Sequence, residues 1–448
     1  MKSRRTYGLF LGVVFILGLL SLRSAEFQSL REDWLNTAKL AGKLREKGLK
    51  LSADTLFNTH TAGHYCVKPN VTSKEHALDR PQRIRTEEIQ TYINAIVNPG
   101  DNSTFNQLQC PHTIGSRYDI LLVPDYTRNG KKRYFFALDL YQAIGVLPRL
   151  MGSIIEAMVF LGPEYCVLSI VEGRSDDGTW DILNALKYSV EKLGAEFHLE
   201  VDGANPKAKG VDRIEALSRL RNMALAPLMC GSRAERKQYA KDSIIIFIND
   251  VALCPEDILE LLFQHVTQSA HMTCAFDWQD SGNCFYDSWV SRSLAGNTFF
   301  DIPRDKWDYK DFLFFDDPPS KKRYEAFLPL QVYSCWGGMA TIDAAPFLQR
   351  KLKFRASEED ECYAGEPALL AKDLWRMGMG KIMAVPTVNV AYSDYEARGT
   401  KAVRGYVADH VNATVAASGD ELIPWQTEPP GMVKCLPDFS KPSWTKPI

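Results

Sequence analysis

The sequence predicts an α/β fold in which a mostly parallel sheet is covered on both faces by helices. Three observations predict it. From Arg133 to Phe276, compact apolar runs alternate with stretches of helical periodicity. The runs are almost continuously apolar, as strands buried on both faces must be. The most strand-like of them, Ser243 to Ile248, stops on Asn249-Asp250, and a parallel sheet presents its ligand-binding groups at the carboxyl ends of its strands.

The elements follow in order. Lys2, Arg4 and Arg5 precede an apolar run from Tyr7 to Leu22, which as a helix spans about 24 Å. Small residues suited to cleavage are poorly placed after it, and acidic residues (Glu26, Glu32, Asp33) follow. This pattern predicts a cytoplasmic tail (1–6) and an uncleaved signal anchor (7–22), with a cleaved signal peptide as the competing reading. Residues 23–130 read as a polar stem and an amino-terminal cap containing a helix near Thr86 to Ile96. The main α/β domain is expected at 131–400. It starts with a strand at Tyr134 to Leu138, a helix from Ile144 to Phe160, a strand from Tyr165 to Val171 and a helix from Trp180 to Leu193. A short strand at Phe197 to Leu199, a helix from Val211 to Leu228, the Ser243 strand, a helix from Pro255 to Ser269 and a strand from Met272 to Phe276 complete the series. Residues 401–448 form a carboxyl-terminal extension.

Composition narrows the functional classes. Of 448 residues, 45% are apolar and 24% charged, the balance of a globular protein with a core. A formal net charge of -2 gives no electrostatic reason to bind nucleic acid. Asn70, Asn102 and Asn412 each start an Asn-x-Ser/Thr acceptor for glycosylation. The ten cysteines lack zinc-finger spacing and suit disulfides or buried thiols, which agrees with a lumenal location. No G-x-G-x-x-G follows the first strand, so a Rossmann oxidoreductase is a poor reading.

Three segments carry chemistry. Glu172 ends a strand in Ser169 to Thr179, where it is placed to accept hydrogen bonds from a base or ribose; Ser175 and Asp177 offer polar contacts or a helix cap. On the helix containing Arg219-Leu220-Arg221-Asn222, the two arginines face different ways, so one is placed to reach a diphosphate while the other stays in solvent; taken alone, two surface arginines are the competing reading. Asp250 is the expected ligand of a divalent cation, Mn2+ or Mg2+, and Asn249 a ribose or water contact. A turn residue is the bland alternative for Asp250.

Together these segments resemble the nucleotide-sugar half of GT-A glycosyltransferases. Val171 to Thr179 is similar to that superfamily's V-D-D-G-S-x-D-G-T segment, Arg221-Asn222 to its Arg-Asn helix, and Asn249-Asp250 to its D-x-D, with one carboxylate where two are usual. A closer resemblance, from about Phe135 to Tyr392, is to the fungal capsule-associated α-1,3-mannosyltransferases, glycosyltransferase family 69. It rests on Ser169 to Ser175, Phe247 to Val251, Ala275 to Trp278, Tyr286 to Arg292 and Cys335 to Met339. The resemblance implies a GT-A-like (Rossmann-type) fold and transfer of mannose from GDP-mannose to a glycan in α-1,3 linkage. It also implies a type II protein of the Golgi or another secretory-pathway membrane, with its catalytic domain in the lumen.

On the acceptor side, Trp278, Tyr286, Trp289 and Trp336 cluster in sequence with Asp287 and Arg292, a mixture suited to sugar rings, although Trp and Tyr are equally core residues. Gly337-Gly338 suggests a tight turn. An α-linked product from an α-linked donor retains configuration, which requires either a carboxylate nucleophile or front-face attack assisted by the departing phosphate. Asp277, Glu361 and Glu366 are the carboxylates considered, and the sequence does not choose among them. The reduced Asn249-Asp250 motif keeps a second class open, a non-catalytic scaffold of a glycan-assembly complex.

Overall fold

A computed structural model describes residues 82–111, 114–122, 130–301, 312–411, 422–438 and 440–447. The expected tail, the 7–22 anchor, most of the stem and the acceptors Asn70 and Asn412 lie outside the described residues. Among the described residues no helix is long and apolar enough to cross a membrane. Asn102 is exposed.

Among the described residues, nine strands form one sheet. They are β1 (Lys132–Leu140), β2 (Cys166–Glu172), β3 (Glu196–Val201), β4 (Tyr239–Ile248), β5 (Met272–Gln279), β6 (Cys284–Phe285), β7 (Leu330–Gln331), β8 (Met339–Asp343) and β9 (Ile382–Ala391). Their order is β3-β2-β1-β4-β8-β5-β9-β7, with β6 on β5. The first four run parallel, as do β5 and β9, whereas β8 lies antiparallel between β4 and β5. The start of β8 therefore meets the carboxyl ends of its neighbours. Gly337 and Gly338 make this possible, both with positive φ (64° and 72°). A Cβ on Gly337 would stand 1.9 Å from the carbonyl oxygen of Ala275, so no other residue fits there.

Side-chain parity explains why both faces are covered. Along β1, Tyr134, Phe136, Leu138 and Leu140 enter one core, and Phe135 and Ala137 the other. Along β4, Ile244, Ile246 and Ile248 join the first, and Ile245 and Phe247 the second. The first face carries α1 (Thr86–Val97), α2 (Leu147–Leu161), α3 (Thr179–Lys192) and α5 (Pro255–Thr267); the second carries α4 (Arg213–Ala224). The predicted helix from Val211 to Leu228 is shorter than expected. It ends at Ala224, and after Leu225 a separate turn starts with Pro227 in its first positions. Further along lie α6 (Pro318–Glu325), α7 (Glu366–Arg376) and α8 (Asp394–Arg404).

The carboxyl-terminal extension folds back on the sheet domain. Its two-stranded ribbon, β10 (Val433–Cys435) with β11 (Ser443–Thr445), is fastened by a disulfide from Cys435 to Cys362. Cys110–Cys254 and Cys274–Cys335 are also bonded. Each of the three closes a loop long enough to constrain the unfolded chain by about 4–5 kcal/mol.

Candidate active site

The carboxyl ends of β1, β4, β5 and β9 and the beginning of β8 converge on one group of polar side chains. Asn249 is its hinge. Its amide oxygen accepts from Trp336 Nε1 (3.0 Å), and its Nδ2 donates to Tyr392 Oη (3.3 Å). Tyr392 in turn donates to Asp277 Oδ2 (2.8 Å). The other Asp277 oxygen accepts the backbone N–H of Asp287 (3.1 Å), and Asp287 Oδ2 accepts that of Gly337 (2.8 Å). One chain of hydrogen bonds thus ties four strand ends together. Asp277 is fully buried, and burial, reinforced by Asp287, holds its carboxyl well above the usual range. Burial likewise pushes Asp287 up to about 6.

Arg221, on α4, is the cation of the site. It is 6% exposed and lies over the rings of Trp336 (4.2 Å), Phe247 (4.9 Å) and Phe354 (5.6 Å). Its Nε donates to Glu366 Oε1 (2.8 Å), while its buried Nη1 has no hydrogen-bond partner among the described residues. Neighbouring Asn222 is structural. It bonds both backbone groups of Phe354 and fixes that ring under Arg221. Asp250 is half-buried, its carboxyl raised by burial, and it accepts no hydrogen bond from another described residue.

A residue that the sequence reading passed over completes the group. Asp139, on β1, interacts electrostatically with Arg221, Glu366 and Asp250, and burial pushes its carboxyl up to about 6. Its signal was present: an acid within an otherwise apolar strand, at the parity of Phe135 and Ala137.

The other expected site residues divide sharply. Glu172 turns its carboxylate onto its own loop and accepts from the N–H groups of Arg174 (3.1 Å) and Ser175 (2.6 Å). Ser175 Oγ accepts from the Gln142 N–H, and Asp177 accepts from the N–H groups of Ile144 and Thr179. These side chains fasten the loop after β2 to the loop after β1, shaping the floor of a ligand site with groups already in use. Trp278 lies in the core, its Nε1 bonded to Asn389, and no face of it is open to an acceptor. Arg292 is spent on the carbonyl oxygens of Lys434, Ser288, Trp289 and Ser291. Trp289 is held by the Leu436 carbonyl. Tyr286 remains exposed, its ring 4.8 Å from that of Tyr392.

Glu361 and Glu366 part company. Glu366 is buried at the start of α7 and belongs to the site through Arg221. Glu361 pairs with Arg355 (2.5 Å), Lys372 (2.9 Å) and Arg376 (3.2 Å). Its carboxyl is shifted below the usual range; burial opposes that shift, but hydrogen bonds from Arg355 and Lys372 prevail. A carboxylate held by three cations is a poor nucleophile, and Glu361 is structural.

Among the described residues, no three His, Cys, Asp or Glu side chains form a ready-made metal cluster. The unpartnered Asp250 carboxylate nevertheless fits a cation of the kind that takes one or two protein carboxylates and completes its shell with phosphate oxygens and water.

Comparison with known proteins supplies what geometry alone does not. The family described as Cryptococcal mannosyltransferase 1 matches residues 133–373. The alpha-1,3-mannosyltransferase CMT1 of Cryptococcus neoformans is 33% identical over 322 residues, covering 69% of this chain and 69% of that protein. Among solved structures, Staphylococcus aureus TarS 1-349 is similar at 11% identity with a TM-score of 0.34, over 59% of this chain and 62% of the other. The mannosyltransferase PcManGT of Pyrobaculum calidifontis, in complex with GDP-Man and Mn2+, has 13% identity and a TM-score of 0.32, over 67% and 65%. This chain spans less than two thirds of either structure.

Proposed function

We propose, from the premise that this chain belongs to the cryptococcal mannosyltransferase family and is a glycosyltransferase, that it moves mannose from GDP-mannose onto a glycan hydroxyl. The bond formed is α-1,3, configuration is retained, and a divalent cation assists at Asp250 on a GT-A-type sheet. The observation that carries this reading is the placement of Asp250 and Arg221 together at the strand ends, one carboxylate without a partner and one guanidinium with a free donor.

When bound, the cation neutralises charge on the leaving diphosphate. The chain's own residues do the rest. Arg221, rigid over three rings and tied to Glu366, supplies a fixed positive charge where the diphosphate gains electrons. Asn249 and Tyr392 hold the tips of β4 and β9 in register, so that charge stays in place.

Front-face attack is favoured over a carboxylate nucleophile. Both Asp277 oxygens already accept hydrogen bonds, Glu366 holds Arg221, and Glu361 is neutralised by cations. The acceptor oxygen bonds to the anomeric carbon as the bond from that carbon to the phosphate oxygen breaks. The electron pair leaves with the diphosphate, and the acceptor's proton passes to a phosphate oxygen on the same face.

Transfer and donor hydrolysis, measured with and without Mn2+, test this. Asp250→Ala should cut the metal-dependent rate by roughly 10²-fold or more; an unchanged rate would remove Asp250 from the metal site. A panel of GDP-, UDP- and CMP-sugars read by thermal shift identifies the donor, with GDP-mannose expected to give the largest stabilisation.

We place the chain in the Golgi or another secretory-pathway membrane as a single-pass type II protein. The apolar run at 7–22 and the disulfides support this reading. A protease-protection assay on intact vesicles should leave the catalytic domain uncut until detergent is added.

A further inference from the structure

We propose that Asp139 is the second carboxylate of the cation–diphosphate site, standing across from Asp250 and making good what Asn249 lacks. The proposal rests on the metal-assisted reading above.

The placement comes from strand register. β1 and β4 are parallel neighbours with Ala137 beside Phe247. Two residues further along each strand stand Asp139 and Asn249, and Asp250 follows. Parity directs Asp139 to the face of Phe135 and Ala137, which is the face covered by α4 and occupied by Arg221. Asp139, Asp250 and Arg221 interact electrostatically with one another.

An acid put in a buried strand for structural reasons is paired. Asp139 is not. It makes no ion pair and accepts no hydrogen bond from another described residue, and the Arg221 ion pair goes to Glu366 instead. An independent observation agrees: Arg221, although more than nine-tenths buried beside these two acids, keeps Nη1 without a partner. Two half-buried carboxylates at adjacent strand tips, facing an unsatisfied cationic donor on α4, are incomplete by themselves. A divalent cation and the diphosphate it carries complete them, since Mg2+-like ions take one or two carboxylates and fill their shell from substrate phosphates.

The test uses the purified full-length chain, titrated with Mn2+ in the presence of GDP and followed by the paramagnetic resonance of free Mn2+. Asp139→Asn and Asp250→Asn should each weaken Mn2+ binding by roughly 10-fold or more, with thermal unfolding of the metal-free protein lowered in neither. Asp139→Cys should shift preference from Mn2+ to Cd2+, because a thiolate selects the softer ion; this arm also decides the matter if the Asn variant folds poorly. Mn2+ binding by Asp139→Asn equal to wild type, with Asp250→Asn deficient, would overturn the proposal and leave the Asp250 reading intact. A Cys variant with no gain for Cd2+ would also overturn it. A wild type that binds no Mn2+ beside GDP would sink both readings together.

Discussion

Two acidic regions of this molecule, one gathered from distant strand tips and one lying in a local acidic run, differ completely in state. At the strand tips, Asp139, Asp250 and Asp287 lie in the field of Arg221 with Asp277 beside Asp287, and all four carboxyls are pushed above their ordinary range. At the corner before α7, Glu361 alone has three cations and is pushed below it. The first region carries incompletely compensated negative charge in a place partly or wholly shielded from water, which costs stability and is retained where a ligand supplies the missing charge. The second is compensated internally and needs nothing from outside. Partner balance, not acidity, separates site from scaffold.

Replacing the cation of the first region should have the largest effect. Arg221→Lys keeps the charge but loses the planar fork that lies over Trp336 while bonding Glu366. Transfer should fall by roughly 10²-fold in steady-state kinetics; a near-normal kcat would place Arg221 in the scaffold. The mirror experiment is Glu361→Gln. It should leave the transfer rate within about two-fold and lower unfolding stability by about 1–2 kcal/mol, because Lys372 loses its carboxylate while Arg355 and Arg376 keep Asp373. A large fall in kcat with stability unchanged would reverse the assignment of the two regions.

The smallest effect is on pH dependence, and the regions should oppose each other. Asp287 has a folded pKa above its unfolded value of roughly 3.9. Its contribution to stability is complete below the unfolded value and disappears as pH rises through about 6. Glu361 is lowered, so its contribution is present above its unfolded value of roughly 4.3 and disappears on acidification. Denaturant unfolding of metal-free protein between pH 4.5 and 7 should therefore show wild type losing stability with rising pH relative to Asp287→Asn, by roughly 1–2 kcal/mol. Over the same range Glu361→Gln should show a nearly constant deficit. Parallel curves for wild type and Asp287→Asn would show that Asp287 is not desolvated as described.

The sequence by itself determined the strands and helices from Lys132 to Gln279, because each buried strand there needs an apolar run and each covering helix an apolar stripe, and both are local patterns. The strands after Gln279 were not predicted. The sequence also drew attention to Asp250 through an abrupt acidic stop, and to Arg221 through the resemblance of Arg221-Asn222 to the GT-A Arg-Asn helix. Tertiary structure alone decided the rest. Glu361 and Glu366 are five residues apart, and only the arrival of Arg355 and Lys372 at one and of Arg221 at the other gives them different roles. Trp278 and Trp336 have the same composition signal and both are buried under a guanidinium, yet Trp278 meets Arg404 and bonds Asn389, whereas Trp336 meets Arg221 and bonds Asn249 of the site. The antiparallel insertion of β8, which brings Gly337 against Ala275 and Asp287, depends on a contact between segments about 60 residues apart in sequence, and no local pattern encodes it. Charges and hydrogen bonds act through space over a few ångströms, so the identity of a site residue is fixed by what the fold sets beside it.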